Sequence, residues 1–193
     1  MRKGFAPLYL ALVHHPVLNR RGEVIASAVT NLDLHDLARC ACTYGLPACF
    51  VITPLRDQQA LVERLIRHWR EGVGSELAPD RERALRLLRL VGSIEEAKAN
   101  LTAECGAQPR VWATTARDGY DGLRFAEARS QLLDEPTPVL LLLGTGWGLD
   151  DTVMREVEGI LEPINGSNGY NHLSVRCAAA IMLDRLLSPP SER

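Results

Sequence analysis

The sequence predicts an α/β fold, a mainly parallel sheet of about five or six strands flanked by helices, on two observations. The first is alternation, with short apolar segments exchanging along the chain with amphipathic stretches at helical period. The second is the segment at 138–149, PVLLLLGTGWGL, where a continuous apolar run enters a glycine-rich turn. A segment apolar at every position suits a strand covered on both faces, as central strands of parallel sheets are. With 193 residues and 46% hydrophobic content, one domain can bury a full core.

Residues 8–13 (LYLALV) read as the first strand, ending at His14, His15 and Pro16. Neighbouring residues of a strand point to opposite faces, so the two histidines could share an ion only on an irregular turn, and no HxxxH spacing follows. A structural or ligand-contacting role suits them better than a metal. Residues 20–22 form a turn and 23–29 a short strand or extended loop. In TNLDLHDLARCACTYGLP, Asp33 followed by Asp36 resembles a capping box, Leu34, Leu37, Ala38 and Ala41 form a core-facing stripe, and Gly45 stops the helix. Residues 48–53 make the second strand.

Residues 54–69 are amphipathic, with Leu61, Val62, Leu65, Ile66 and Trp69 on one face. The linker-like piece at 72–79 is too short to divide the chain, which is expected to be one domain over 1–193. A helix leading into a short strand at 87–91 is followed by a helix capped by Ser93 and ending at Cys105. Residues 110–115 form a strand whose exit, TTARDG, offers small hydroxyls and an arginine, and 122–133 return as a helix. After the glycine turn come a helix at 150–158, an extended piece at 160–164 and a loop at 165–169. The last helix starts near Asn171 or His172 and runs to Leu187, with Ala178, Ala179 and Ala180 permitting close backbone approach.

Composition excludes several classes. No apolar run is long enough for a membrane span, and the first residues lack a clean secretory cleavage pattern, so a cytoplasmic protein is expected. The cysteines (Cys40, Cys42, Cys49, Cys105, Cys177) are odd in number, form no CxxC pair and fit reduced thiols rather than a metal site. The net charge of −2 gives no global push toward nucleic acid, yet the first half is net basic. Its arginines recur as Arg64, Arg67, Arg70 and as Arg81, Arg83, Arg86, Arg89, stripes that are either a solvated face or a phosphate-binding one.

Ligands of open α/β sheets collect beyond the carboxyl ends of strands, where Gly144, Gly146 and Gly148 would turn the chain tightly and present bare amides. A plain strand-to-helix loop explains the turn equally well. Its spacing is not GxGxxG, and no GK[ST] follows. Arg39 could aim a bidentate cation at a phosphate or pair with Asp36 at i,i+3. The amino end of the last helix brings Asn171, His172, Ser174 and unpaired N–H donors to whatever lies beside it.

Taken together, TNLDLHDLAR, GTGWGL and GYNHLSVR resemble the SPOUT superfamily of S-adenosylmethionine-dependent RNA methyltransferases, closest to its small stand-alone branch, over about 8–187. The resemblance implies a deep C-terminal trefoil knot in the sheet domain, a homodimer, an RNA substrate (tRNA or rRNA), and transfer to a ribose oxygen or base nitrogen. It also implies a donor site on three loops. These correspond to Thr114, Thr115 and Ala116; Leu143, Gly144, Thr145, Gly146, Gly148 and Leu149; and Leu161, Pro163, Ile164, Tyr170, Asn171, Leu173 and Ser174. No metal is required.

In the SpoU-type branch the first motif has an Asn six residues ahead of an Arg. Asp33 and Arg39 hold those positions, His172 precedes the Ser174 of the third motif, and Gly146 stands where the second usually carries a Glu. The candidate catalytic residues are therefore Arg39, Asp33 and His172, with Arg39 orienting the acceptor's phosphate or assisting deprotonation and Asp33 or His172 as base. His172 could equally be a helix-start residue bonded to the backbone. A non-catalytic binder of the same fold is one alternative. A Rossmann oxidoreductase is another, weakened by the lack of an acidic residue about 20 positions after a first GxGxxG.

Overall fold

The computed structural model describes residues 5–71, 78–117 and 119–188. In chain order the elements are β1 (Leu8–Val13), β2 (Val17–Leu18), β3 (Val24–Ile25), α1 (Asn31–Thr43), β4 (Cys49–Ile52), α2 (Arg56–Glu71), α3 (Pro79–Leu85) and β5 (Leu88–Val91). They continue with α4 (Ile94–Cys105), β6 (Arg110–Thr114), α5 (Phe125–Asp134), β7 (Val139–Gly144), α6 (Asp151–Glu156), β8 (Gly159–Leu161) and α7 (Val175–Leu187).

One six-stranded sheet runs in the order β5-β4-β1-β7-β6-β8, with every pairing parallel, while β2 and β3 make a small antiparallel ribbon. Strand order reverses beside β1: β4 and β5 build outward on one side, and β7 enters between β1 and β6 on the other. The carboxyl ends of β1, β7 and β6 therefore open side by side at a topological switch, where α/β sheets bind ligands.

The apolar run at 139–143 is at most 1% exposed, as expected of a strand covered on both faces. Alternate side chains of β1 serve two cores. Leu8, Leu10 and Leu12 pack with Leu34, Leu37, Ala38 and Ala41 of α1, Leu132 of α5 and Leu183 of α7. Tyr9, Ala11 and Val13 face the side of Ala97 and Leu101 of α4 and Met154 of α6.

The expected elements are present, with local corrections. The helix through Leu34 is capped by Thr30, whose Oγ1 accepts from Asp33 N at 3.4 Å and whose hydroxyl donates to Asp33 Oδ2 at 2.5 Å. Capping thus lies three residues ahead of the Asp33–Asp36 expectation, because Thr30 has extended backbone. Along α2 only Val62 is fully buried, while Leu61 is 45% exposed and Leu65, Ile66 and Trp69 are half-buried. The last helix begins at Val175, capped by Ser174, so Asn171 and His172 belong to the preceding loop. Most of the linker-like segment, 72–77, lies outside the described residues.

The turn after β7 doubles back on the strand. A Cβ added at Gly144 would stand 2.7 Å from Leu149 N and 3.0 Å from Leu149 Cγ, closer than packed atoms tolerate. Gly144→Ala should cost about 2 kcal/mol, in the range for overpacking a rigid site. A lowered urea midpoint with unchanged m-value would bear this out; an unchanged midpoint would refute the contact.

Candidate active site

The glycine turn is stitched to the strand beside it. Thr145 donates to Val13 O through both its amide, at 3.2 Å, and its hydroxyl, at 3.0 Å. Trp147 N reaches Leu18 O and Leu18 N reaches Gly148 O, each at 2.9 Å, and Gly148 N closes on Thr145 O at 3.0 Å. The amides of Thr145, Trp147 and Gly148 are thus spent inside the fold, so Gly148 does not present the bare amide expected of it. Gly146 has a φ of +60°, and an added Cβ there would lie 2.9 Å from Leu18 O. The conformation and the close approach both require glycine.

Two side chains tie the remaining loops to this turn. Arg117 donates to Leu149 O and pairs with Asp151, both at 3.1 Å, with its guanidinium stacked over Tyr120 at 5.6 Å. Asn171 Nδ2 donates to Ala116 O at 2.9 Å. The loops at 114–117, 143–149 and 160–173 therefore meet through side-chain bonds of Arg117 and Asn171.

They enclose a cavity of about 730 Å³. Of the sequence-predicted residues, Thr114, Thr115, Ala116, Leu143, Gly144, Thr145, Gly146, Gly148, Ile164, Asn171, Leu173 and Ser174 line it, joined by Asp33 and His172. Val175, Ala178 and Met182 of α7 add apolar wall, and Trp147, 55% exposed, is also part of the lining.

Five candidates lie elsewhere. Leu149 and Leu161 are 1% and 0% exposed because each packs into one of the two core clusters. Pro163 is half-buried and does not line the cavity, and Tyr170 is 68% exposed, edge-on to His172 at 5.3 Å. Arg39 projects from an exposed position of α1 into a separate shallow groove with Asp36, Cys40, Thr43, Tyr44 and Cys177. Helical geometry explains the split: Asp33 and Arg39, six residues apart, do not share a face at 3.6 residues per turn.

Arg176 joins these regions and was missed in the sequence, although it ends the GYNHLSVR motif. It donates to Asp33 Oδ1 at 2.8 Å and reaches Asp36 Oδ2 at 3.2 Å, lining both the cavity and the groove. Asp33, 8% exposed, has Oδ1 on Arg176 and Oδ2 on the Thr30 hydroxyl. These bonds make Asp33 a clamp between α1 and α7. Hydrogen bonds to charged groups contribute about 1.5–3 kcal/mol, so Asp33→Asn should lower stability by about 1–2 kcal/mol. In a double-mutant cycle Asp33→Asn with Arg176→Met should lose less than the sum of the single changes, and strict additivity would rule out the clamp.

His14 follows β1 directly and was read only as a structural or contacting residue. It is 1% exposed and lines the cavity, with Nδ1 2.9 Å from Ser27 Oγ, which lies 2.6 Å from Thr145 Oγ1. Burial pushes its imidazole down to about 4, against a smaller upward pull from the Asp33 charge. The unfolded chain takes up this proton near the ordinary histidine value of about 6.5, so between there and 4 it binds more protons than the folded chain. This contribution to stability is complete above pH ~6.5 and lost as the pH falls toward 4. Urea midpoints should therefore fall across that window, less steeply in His14→Asn; identical pH slopes would refute the assignment.

Among the described residues, no group of three or more His, Cys, Asp or Glu side chains could hold a metal, and no helix is long and apolar enough to cross a membrane. A family model described as "SAM-dependent RNA methyltransferase" matches residues 7–188. The chain is 48% identical over 180 residues to a protein named tRNA (guanine-N(1)-)-methyltransferase from Oleidesulfovibrio alaskensis, covering 93% of this chain and 42% of that one. It thus spans less than half the length of this curated relative. In fold it is similar to a probable methyltransferase from Bordetella pertussis Tohama I, with a TM-score of 0.62 and 20% identity over 96% of this chain and 97% of the other. A TrmH/SpoU tRNA modifying enzyme from A. aeolicus matches with a TM-score of 0.54 and 11% identity, over 96% of this chain and 75% of the other. With the family match running through nearly every element that builds the cavity, the chain belongs to the SAM-dependent RNA methyltransferases.

Proposed function

We propose that this chain transfers the methyl group of S-adenosylmethionine to a ribose oxygen or base nitrogen of a tRNA or rRNA, with the donor held in the three-loop cavity. The observation that carries the reading is the convergence of the loops at 114–117, 143–149 and 160–173 on one space of about 730 Å³, a volume suited to a nucleoside-sized ligand. Its lining fits the donor chemically: Leu143, Ile164, Leu173, Val175 and Met182 offer apolar contact for an adenine ring, and Thr114, Thr115 and Ser174 offer hydroxyls. When bound, the donor supplies an activated sulfonium methyl group.

The protein's own work is to hold an acceptor atom in line with that methyl and take away its proton. His172, in the exposed loop before α7 and part of the cavity lining, is the residue we assign to the proton. Asp33, bonded to Arg176 and Thr30, is assigned to the clamp rather than to that role, and Arg39, in the adjoining groove, is assigned to a phosphate of the bound RNA. The relative's guanine-N1 activity belongs to a protein more than twice as long, so the acceptor atom is not carried over from it.

The knotted threading implied by the resemblance belongs to the same proposal, supported by the fold shared with the TrmH/SpoU enzyme and by the return of α7 against α1 and α5. A homodimer in the cytoplasm completes it, with exposed Leu32 suited to a subunit contact. Sedimentation at micromolar concentration distinguishes dimer from monomer.

Calorimetry with S-adenosylhomocysteine, followed by transfer of radiolabelled methyl into unmodified total tRNA and rRNA, tests the core of the reading. Ile164→Asp should weaken donor binding at least about tenfold by putting a charge against the apolar wall. His172→Ala should lower kcat by about a hundredfold while leaving that binding intact. Donor binding without transfer to any RNA would favour a non-catalytic binder, and no donor binding would sink the proposal.

A further inference from the structure

The hydroxyl chain beside His14 fixes which of its ring nitrogens carries the proton. Val13 O can only accept, and Thr145 Oγ1 lies 3.0 Å from it, so the single proton of that hydroxyl is committed there. The reverse orientation would set two lone pairs against each other at this distance. Thr145 Oγ1 must then accept from Ser27 Oγ at 2.6 Å, and Ser27 Oγ in turn accepts from His14 Nδ1 at 2.9 Å. His14 is therefore the Nδ1–H tautomer, and its Nε2 is a bare lone pair.

That Nε2 is shielded from solvent and has no hydrogen-bond partner among the described residues, in a side chain that forms part of the cavity lining. A buried acceptor left unpaired is costly, and such an atom in a native fold calls for a partner. The only kind of partner that suits this one is a donor.

We propose that His14 is a recognition residue whose unprotonated Nε2 accepts a hydrogen bond from an N–H or O–H group of a nucleoside in the cavity. The inference rests on the methyltransferase reading and deepens it. The donor group belongs either to S-adenosylmethionine or to the acceptor nucleotide, and the two sources are separable by experiment. His14 is not assigned to proton removal. Its burial and the absence of an adjoining carboxylate bond disfavour an imidazolium, with Asp33 the charged group that acts on it from α1. It reads a donor and stays neutral.

The test is nitrogen-15 NMR of the histidine rings in the full chain, with His14 assigned by its loss in His14→Asn, a variant whose amide can still donate to Ser27. The free protein should show a protonated Nδ1 and a bare Nε2. Adding S-adenosylhomocysteine, or else unmodified tRNA or rRNA with it, should move Nε2 toward the hydrogen-bonded range, and the addition that moves it identifies the source. For that ligand His14→Asn should weaken binding about tenfold, as loss of one hydrogen bond does, with the fold checked by circular dichroism. A protonated Nε2, or an Nε2 unmoved by ligands that calorimetry shows to be bound, would overturn the inference alone. Failure of the wild-type protein to bind any of these ligands would overturn it together with the methyltransferase reading.

Discussion

The site depends first on the parallel pairing of β1 with β7, in register from Leu8 opposite Val139 to Val13 opposite Gly144. Both strands are buried on both faces, so a slip of one residue would exchange the two core clusters and strand side chains shaped for one face against the other. That register sets Val13 O within reach of Thr145 and leaves His14 at the end of its strand beside the glycine turn. The hydroxyl relay through Ser27 is therefore a product of sheet register as much as of the loops that supply it.

The second constraint is the clamp of Asp33 and Arg176, which joins the first helix to the last. The pair is partly shielded, with side chains 12% and 33% exposed, and its value lies in geometry: it holds the amino end of α7 against α1. Elsewhere the basic first half is largely absorbed by local pairing. Arg81 stacks over Trp69 at 5.0 Å, Arg86 pairs with Glu82, and Arg89 pairs with Glu104. Exposed pairs of this kind add little stability, and they leave Arg64, Arg67 and Arg70 on α2 and Arg83 on α3 as the more open cations of those stripes.

Much of the fold was legible because burial writes itself into periodicity. The all-apolar run of β7, the stripe of Leu34, Leu37, Ala38 and Ala41, and the Ser93 cap each appear where local chemistry puts them. The misses share a cause: they depend on contacts distant in sequence. Asp33 reads as a capping residue or a base until Arg176, from the other end of the chain, takes its free oxygen. The amides of the glycine turn look available until Val13 and Leu18 are brought beside them. His14 could be read only as one of a histidine pair, since its role comes from Ser27 and Thr145 rather than from His15.

The cavity draws its walls from His14 to Asp33 at one end of the chain and from Thr114 to Met182 at the other. A polypeptide emerging from the ribosome thus has no pocket at all until α7 has appeared and settled against α1. Any shorter product of interrupted synthesis or proteolysis that lacks this helix would lose the Val175, Ala178 and Met182 wall of the cavity.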